Sequence, residues 1–283
     1  MTVTLGEGST PLLRSERLSE RFGVDLWLKF EGTNPTGSFK DRGMAVAVTR
    51  AVEDGAHTLV CASTGNTAAS CAAYAARAGL KAVIVVARGA AAGPKLAQVR
   101  AVGGEVLEVE GSFSDAFAKA ELLGEQGGVV VVNSTNPHRI EGQKTAAFEI
   151  LDALGEAPDV LTLPYGGGGN TRAYALGFAD RGVMPRLHPV QAADRANTIA
   201  SAIRIVEPVH REEAEQHVAE SGGSILTVDD EAIVAARQLL GAEEGIFCEP
   251  ASAAGIAALP QSARPGERVV CVVTGHGLKD PPK

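Results

Sequence analysis

Residues 160–171 read Val-Leu-Thr-Leu-Pro-Tyr-Gly-Gly-Gly-Gly-Asn-Thr, a short apolar run that passes through four glycines into a helical pattern. An apolar run of this length is typical of a buried parallel strand. Because glycine has no Cβ, backbone N–H groups in such a loop can approach an anion, and the following helix adds its dipole. We therefore predict a phosphate-binding loop formed by Gly166, Gly167, Gly168, Gly169 and Asn170.

A flexible linker is the alternative interpretation of these glycines, but linkers seldom lie between a buried strand and a helix. The spacing around Gly166–Gly169 matches neither the P-loop motif nor the dinucleotide-binding fingerprint. The sequence therefore indicates an anion at this loop without indicating a nucleotide.

On both sides of this segment, runs rich in Val and Ile alternate with longer Ala-rich stretches. The alternation predicts strands joined by helical crossovers, and therefore parallel sheets in an α/β fold. The predicted strands are 26–30, 58–62, 82–87, 105–109, 129–132, 160–163, 187–191, 224–228 and 269–273. The predicted helices are 41–53, 67–78, 94–102, 112–126, 139–154, 171–180, 198–205, 229–240 and 251–259.

The composition of the 283-residue chain, 45% hydrophobic and 21% charged, is that of an ordinary globular protein. With 26 Lys and Arg against 34 Asp and Glu, the net charge is −8, so nucleic acid is not an expected partner. The four cysteines form no CxxC pair, which argues against zinc and disulfides and favours a reducing compartment. Since no apolar leader opens the chain and charges interrupt its apolar regions, we expect a cytoplasmic protein without a membrane span.

A second loop, residues 34–43, reads Asn-Pro-Thr-Gly-Ser-Phe-Lys-Asp-Arg-Gly and enters a helix near Asp41. Lys40 therefore lies at a helix N-terminus, where the positive end of the helix dipole disfavours a cation. Taken alone, Lys40 is more simply interpreted as a solvated surface lysine. Its position becomes informative only in combination with the other loops.

A third loop, residues 63–67, reads Ser-Thr-Gly-Asn-Thr and lies between the predicted strand 58–62 and an Ala-rich helix. Its hydroxyl and N–H donors suit a carboxylate or a ring hydroxyl. N-capping of the helix is the alternative, but it would account for only one Ser or Thr. A fourth loop begins at Thr274, after the last predicted strand.

Loops that follow parallel strands meet at one edge of a sheet, where α/β proteins bind ligands. A lysine at a helix start, a phosphate cradle and hydroxyl-rich loops together suit pyridoxal 5'-phosphate. The aldehyde of this cofactor needs a lysine amine, and its phosphate needs clustered N–H donors.

Several segments, taken as a series, resemble those of threonine synthases, which belong to the fold type II family of pyridoxal-phosphate enzymes with tryptophan synthase β and threonine dehydratase. The resemblance spans nearly the whole chain and rests on residues 6–12, 34–43, 63–70, 133–134, 136–137, 139–145, 249–254 and 274–280. It implies two lobes, each a mostly parallel sheet covered by helices. A smaller mobile lobe at residues 45–140 would be inserted into a larger cofactor-binding lobe at 1–44 and 141–283, in a homodimer.

The resemblance also implies a role for each loop. Lys40 would be the catalytic residue and hold the cofactor through a Schiff base, with Phe39 beside it. Asn66 would bond to the ring hydroxyl, the loop Gly166–Asn170 would hold the phosphate, and Thr274 would face the pyridine nitrogen. The implied substrate-binding residues are Ser63, Thr67, Asn133, Ser134 and Arg139 around a phosphate, and Thr64, Gly65 and Asn66 at a carboxylate.

The implied reaction converts O-phospho-L-homoserine and water to L-threonine and phosphate, by γ-elimination followed by β-addition of water. Two alternatives stay open. One is a related pyridoxal-phosphate lyase, such as a threonine or serine dehydratase or another β- or γ-replacement enzyme. The other is a non-catalytic amino-acid-binding homologue, against which Lys40, Asn66 and Thr274 argue jointly, because sensing needs no Schiff-base lysine.

Three features depart from the family pattern. Gly167 stands where threonine synthases usually have an Asn that reaches the substrate phosphate, and Tyr165 stands where a smaller aliphatic residue is common. After Ala193 the chain passes directly through residues 194–197, omitting a family insertion near the mouth of the active site. Shortening a surface loop costs little free energy, but the omission could also admit another amino acid.

Overall fold

The computed structural model describes residues 2–90 and 93–281. Close approaches between Cα atoms group the chain into two compact units. Unit 1 comprises the described residues of Met1–Glu7 and Lys40–Gly142, and unit 2 comprises Gly8–Phe39 and the described residues of Gln143–Lys283. The mobile lobe at residues 45–140 stays a prediction, because grouping by proximity says nothing of motion.

The elements are numbered here in chain order. The strands are β1 (Leu12–Arg14), β2 (Asp25–Phe30), β3 (Thr58–Ala62), β4 (Lys81–Ala87), β5 (Glu105–Val109), β6 (Val129–Val131), β7 (Val160–Pro164), β8 (Arg186–Ala192), β9 (Leu226–Val228) and β10 (Arg268–Val273). The α-helices are α1 (Glu16–Phe22), α2 (Lys40–Glu53), α3 (Asn66–Ala78), α4 (Pro94–Ala101), α5 (Phe113–Gly124), α6 (His138–Leu154), α7 (Gly169–Ala179), α8 (Arg211–Glu220), α9 (Asp230–Glu244), α10 (Ala254–Ala257) and α11 (Leu259–Ser262). Short 3₁₀ helices lie at Glu31–Thr33, Ser201–Ile203, Pro250–Ala253 and Gly277–Lys279.

Unit 1 is built on a four-stranded parallel sheet with the order β5-β4-β3-β6. Successive residues of β3 face opposite sides of this sheet, as the pleat requires. Leu59 and Cys61 lie in a core shared with α2, α3 and α4, whereas Val60 and Ala62 pack against α5. Both faces of β3 are therefore buried, which is why the strand is apolar on both sides.

Unit 2 is built on a six-stranded sheet with the order β1-β2-β10-β7-β8-β9, in which only the edge strand β1 is antiparallel to its neighbour. The last strand, β10, lies in the interior between β2 and β7. Val269 and Cys271 pack with α1 and α9 on one face, and Val270 and Val272 pack with α6 and α7 on the other.

The predicted α/β fold with mostly parallel, helix-covered sheets is confirmed by these two units. The helix predicted at 198–205 is wrong, since only Ser201–Ile203 forms a 3₁₀ turn. Thr198 Oγ1 donates to Asp230 Oδ1 at 2.5 Å, and Arg204 Nε donates to the Thr198 carbonyl at 2.9 Å. The Thr198 carbonyl, which would accept a backbone N–H in a helix, is therefore bonded to a side chain instead.

Two other parts of unit 2 also differ from the prediction. The helix predicted at 251–259 is broken into a 3₁₀ turn and two short helices. Strand β1 and helix α1 were not predicted, since both are short and lack a clear apolar period. Among the described residues, no helix combines the length and the apolar character needed to cross a membrane.

Candidate functional site

The glycine loop, Gly166–Gly169, follows β7 at the carboxyl end of the unit 2 sheet and leads into α7. The backbone N–H of Tyr165 donates to the Val190 carbonyl at 2.7 Å, which extends the β7–β8 pairing to the edge of the loop. Gly168 is the N-cap of α7, with φ 84° and ψ −21°. This left-handed conformation is one that glycine adopts without strain.

Three carbonyl groups of the loop are bonded to donors within unit 2. The Gly166 carbonyl accepts from Arg195 Nη2 at 3.2 Å. The Gly167 carbonyl accepts from the His210 N–H at 2.9 Å, and the Gly168 carbonyl accepts from the Arg172 N–H at 3.0 Å. In a trans peptide the N–H points away from the carbonyl, so the N–H groups of the next residues, 167–169, point to the other side. The loop therefore presents a cluster of N–H donors at a helix N-terminus, as an anion site requires.

The glycines of this loop are not equivalent in the space around them. A methyl group added at Gly168 would lie 2.7 Å from the His210 carbonyl oxygen, closer than a Cβ normally approaches. At Gly167 the nearest atom would be Ile205 Cδ1 at 3.8 Å, an ordinary contact. Gly168 is thus required by its φ and by its neighbour, whereas Gly167 tolerates a side chain.

Two polar side chains next to the glycine loop are buried without a hydrogen-bond partner in the part of the chain that the structure describes. They are the Asn170 Nδ2 amide and the Thr171 Oγ1 hydroxyl, and Thr171 is only 1% exposed. A buried donor without a partner costs about 1–3 kcal/mol. A phosphate at this helix start would accept from both groups, so the residues present fit the phosphate of the predicted cofactor.

Thr274 lies directly after β10, whose neighbour in the sheet is β7. Its Oγ1 lies 2.9 Å from Ser252 Oγ, and Ser252 Oγ accepts from the Gly275 N–H at 2.8 Å. Ser252 and Thr274 are both buried. Because β7 and β10 are parallel, the glycine loop and Thr274 lie at the same edge of the unit 2 sheet.

The Thr274 loop also fixes the segment that leads to Lys40. The Phe39 N–H donates to the Thr274 carbonyl at 3.0 Å, and the His276 N–H donates to the Gly37 carbonyl at 2.9 Å. Lys40 follows Phe39 directly and is the first residue of α2. The loop after β10 therefore fixes the backbone of unit 2 as far as Phe39.

His276 has a structural role in this loop. Its ring stacks on Phe30 at a centroid distance of 6.1 Å and meets Phe247 edge-on at 5.9 Å. Its Nδ1 accepts from the Leu278 N–H at 3.2 Å, which closes the last turn. No catalytic role follows from these contacts.

In unit 1, residues 63–65 of the predicted loop join β3 to α3, and Asn66 and Thr67 are the first two residues of that helix. Gly65 is the N-cap of α3 and makes no side-chain cap. The Ser63 hydroxyl instead accepts from the Gly65 N–H at 3.0 Å. N-capping by Ser or Thr therefore does not account for this loop, and Asn66 and Thr67 open a helix whose first N–H groups face the loop side.

Asn133 ties the segment after β6 to the end of β3, and Arg139 bonds to that same segment. Asn133 is buried, and its amide bonds in both directions to Ala62, with Nδ2 donating to the Ala62 carbonyl and Oδ1 accepting from the Ala62 N–H, each at 2.9 Å. Arg139 is 1% exposed and donates through Nη1 to the Val132 carbonyl at 2.8 Å. Burial lowers the pKa of this guanidinium, while the thiols of Cys61 and Cys71 and the Asp41 carboxylate raise it. Its Nε has no hydrogen-bond partner among the described residues.

The structure thus forms two groups of predicted site residues, one in each unit. Unit 2 brings together Phe39, Gly166–Asn170 and Thr274, and unit 1 brings together residues 63–67 with Asn133, Ser134 and Arg139. Lys40 is the first residue of the second segment of unit 1, Lys40–Gly142. No local pattern predicts Ser252, Arg195 or His210, because each reaches the site through a long-range contact.

Comparisons with known proteins agree with this geometry. A family model described as pyridoxal-phosphate dependent enzyme matches residues 3–275. Threonine synthase from Halalkalibacterium halodurans is 50% identical over 300 residues, covering 99% of this chain and 85% of that protein. Threonine synthase from Synechocystis sp. is 47% identical over 303 residues, which cover 99% of this chain and 79% of that protein. The structure of maize serine racemase superposes with a TM-score of 0.85 at 25% identity, covering 95% of this chain and 88% of that one.

Substitutions at Gly167 and Gly168 test whether the N–H groups of the glycine loop bind the cofactor phosphate. Gly168→Ala should weaken binding of pyridoxal 5'-phosphate by about 10-fold or more, because a strained φ and a close contact cost about 1–3 kcal/mol. Gly167→Ala is the matched control and should stay within about 3-fold of the unsubstituted protein, since its methyl group has room. Titration of the cofactor-free protein, followed by visible absorption, measures both. Equal affinities of the two variants would contradict the cradle.

Proposed function

The chain belongs to the pyridoxal-phosphate dependent enzyme family, and we infer that within it the chain is a threonine synthase, which converts O-phospho-L-homoserine and water to L-threonine and phosphate. The observation that carries this function is the cradle of N–H groups in unit 2, formed because three loop carbonyls are bonded on the far side. Relatives that are 47–50% identical over 99% of the chain carry the same activity in their names. The enzyme is accordingly a pyridoxal-phosphate dependent lyase.

Pyridoxal phosphate, when bound, supplies an electron sink beside the α-carbon of the amino-acid substrate. The N–H groups of residues 167–169 would hold its phosphate. Asn170 and Thr171 would add two side-chain donors that have no hydrogen-bond partner among the described residues. Lys40 would carry the cofactor covalently, and Asn66 would bond to its ring hydroxyl. Phe39, fixed by its bond to the Thr274 carbonyl, orients the backbone that leads to Lys40.

The hydroxyl pair at Thr274 determines which reactions are favoured. Ser252 Oγ already accepts the Gly275 N–H at 2.8 Å, and its proton can be donated to Thr274 Oγ1 at 2.9 Å. The Thr274 hydroxyl proton is then available to a neutral ring nitrogen. A neutral hydroxyl, unlike a carboxylate, does not keep that nitrogen protonated, so elimination and replacement are favoured over transamination.

Lys40 also moves protons once substrate has displaced it from the cofactor. One proton at a time, its amine would remove the proton of Cα and, as phosphate leaves from Cγ, a proton of Cβ. It would return one proton to Cγ, which becomes the methyl group, and restore the proton of Cα after water has added at Cβ. Arg139, with Ser63, Thr67, Asn133 and Ser134, binds the substrate phosphate, since a guanidinium pairs with phosphate strongly and directionally. Arg139 also retains the departing phosphate beside Cβ, where it accepts the proton of the attacking water. The residues Thr64, Gly65 and Asn66 bind the substrate carboxylate.

Turnover of three substrates tests this function against the dehydratase alternative. The protein should form threonine and phosphate from O-phospho-L-homoserine and should release little ammonia from threonine or serine. Lys40→Ala should lower turnover by at least about 1,000-fold, because it removes the proton-transferring amine. Borohydride treatment should attach the cofactor to the peptide that contains Lys40 and to no peptide of the variant. Ammonia release from threonine or serine as the main activity would favour a dehydratase.

Arg139→Lys tests the substrate phosphate site while keeping the buried charge. The KM for O-phospho-L-homoserine should rise about 10-fold, since lysine cannot reproduce the planar guanidinium contacts. Affinity for pyridoxal 5'-phosphate should stay unchanged within about 2-fold. Arg77→Lys, on the exposed side of α3, is the matched control and should change neither quantity. Equal losses of substrate and cofactor affinity would show that Arg139 supports the fold rather than the substrate.

We also propose that the enzyme is a cytoplasmic homodimer. The four cysteines are buried free thiols, as a reducing compartment permits. The homodimer is what the resemblance to threonine synthases implies. Sedimentation should give about twice the chain mass of 29.1 kDa, and a monomeric mass at micromolar concentration would reject the dimer.

A further inference from the structure

Arg195 is a cation held beside the glycine loop by three different groups of unit 2. Its Nη2 donates to the Gly166 carbonyl at 3.2 Å, and its Nη1 donates to Gln191 Oε1 at 3.0 Å. Its Cζ lies 5.4 Å from the centroid of the Tyr165 ring. The guanidinium is thereby fixed in position and orientation, because each contact restrains a different part of the group.

The backbone around Arg195 is equally restrained. Asp194 Oδ1 accepts from the Ala196 and Asn197 N–H groups at 3.1 Å each, and Asp194 Oδ2 accepts from Asn197 Nδ2 at 2.9 Å. These bonds close a turn directly after β8, in the place where the chain omits a family insertion. The shortened connection therefore delivers Arg195 to the glycine loop on a rigid turn.

The Gly166–Gly167 peptide depends on this side chain more than its neighbours do. The Gly167 and Gly168 carbonyls are bonded by backbone N–H groups, whereas the Gly166 carbonyl is bonded by Arg195. Glycine has the largest conformational freedom of any residue, so a peptide between two glycines needs an external restraint to keep one orientation. The Arg195 guanidinium lies over the ring of Tyr165, which is 2% exposed.

We propose that Arg195 is a positioning residue for the cofactor phosphate in this chain. By bonding to the Gly166 carbonyl it turns the Gly167 N–H toward the phosphate, and Tyr165 and Gln191 hold the guanidinium in place for that task. Tyr165, Gly167 and the short turn after Ala193 then form one arrangement, in which a restrained arginine replaces the rigidity that a residue with a Cβ at position 167 would provide. The proposal rests on the proposed function only in taking pyridoxal phosphate as the bound group.

A comparison of two ligands isolates this effect from general damage to the protein. Pyridoxal lacks the phosphate but keeps the ring and the aldehyde. The full-length protein is stripped of cofactor and titrated with pyridoxal 5'-phosphate and with pyridoxal. Arg195→Met keeps the apolar contact with Tyr165 and removes every donor. It should raise the Kd of pyridoxal 5'-phosphate about 10-fold, the cost of one charge-assisted hydrogen bond, and leave the Kd of pyridoxal within about 2-fold.

Arg211→Met is the matched control for the loss of a positive charge. Arg211 is a 67% exposed side chain on α8 whose Nε donates to Glu215 at 2.8 Å. Its substitution should leave the ratio of the two Kd values unchanged. If Arg195→Met does not fold, as judged by circular dichroism, Arg195→Gln takes its place with the same expectation, because the shorter amide cannot span Gln191 and Gly166.

The proposal is overturned if the Arg195 variant has the same ratio of the two Kd values as the unsubstituted protein. Equal weakening of binding of both ligands would be such a result. That result is distinct from a failure of the proposed function, which would show as an unsubstituted protein that does not take up pyridoxal phosphate or does not turn over O-phospho-L-homoserine.

Discussion

The orientation of three consecutive peptide groups is the constraint on which the site in unit 2 depends. Their carbonyls are bonded to Arg195, His210 and Arg172. Because the peptide bond is planar and trans, each following N–H points away from the donor that its carbonyl accepts from. The glycines permit this arrangement but do not impose it, because a chain of glycines has many other conformations of similar energy. The donors that bond to the carbonyls select the conformation from which we predict anion binding. Asn170 and Thr171 add two side-chain groups that have no hydrogen-bond partner in the described part of the chain.

A second constraint joins the beginning and the end of the chain. Strand β10 pairs with β2 over six residue positions, and immediately beyond it Thr274 and His276 bond to the segment that carries Ser38 and Phe39. Ser252 supports this junction from a third direction through its bonds to Thr274 and Gly275. Phe39 and Thr274 are therefore held by one local network within unit 2, although more than 230 residues separate them in sequence.

The sequence predicted best those features that depend on local pattern. Strands 58–62 and 105–109 were predicted at the bounds that the structure gives, because each is a short run between turn residues. The anion loop was predicted because four glycines between a strand and a helix let the backbone N–H groups approach a ligand closely. Residues 198–205 were assigned to a helix from their composition, but the side chains of Asp230 and Arg204 hold that segment in another conformation. Arg195, Ser252 and His210 could not have been placed, since their contacts depend on how distant strands pair.

The interior position of β10 has a consequence for how the protein is made. On the ribosome, the four strands of unit 1 are all synthesised before residue 132, so that sheet can close while synthesis continues. The sheet of unit 2 cannot, because β2 and β7 have no common neighbour until residues 268–273 emerge. Until then the nascent chain carries β2 with one side unpaired, and a stop before residue 268 leaves a gap in the middle of a sheet rather than a shortened edge.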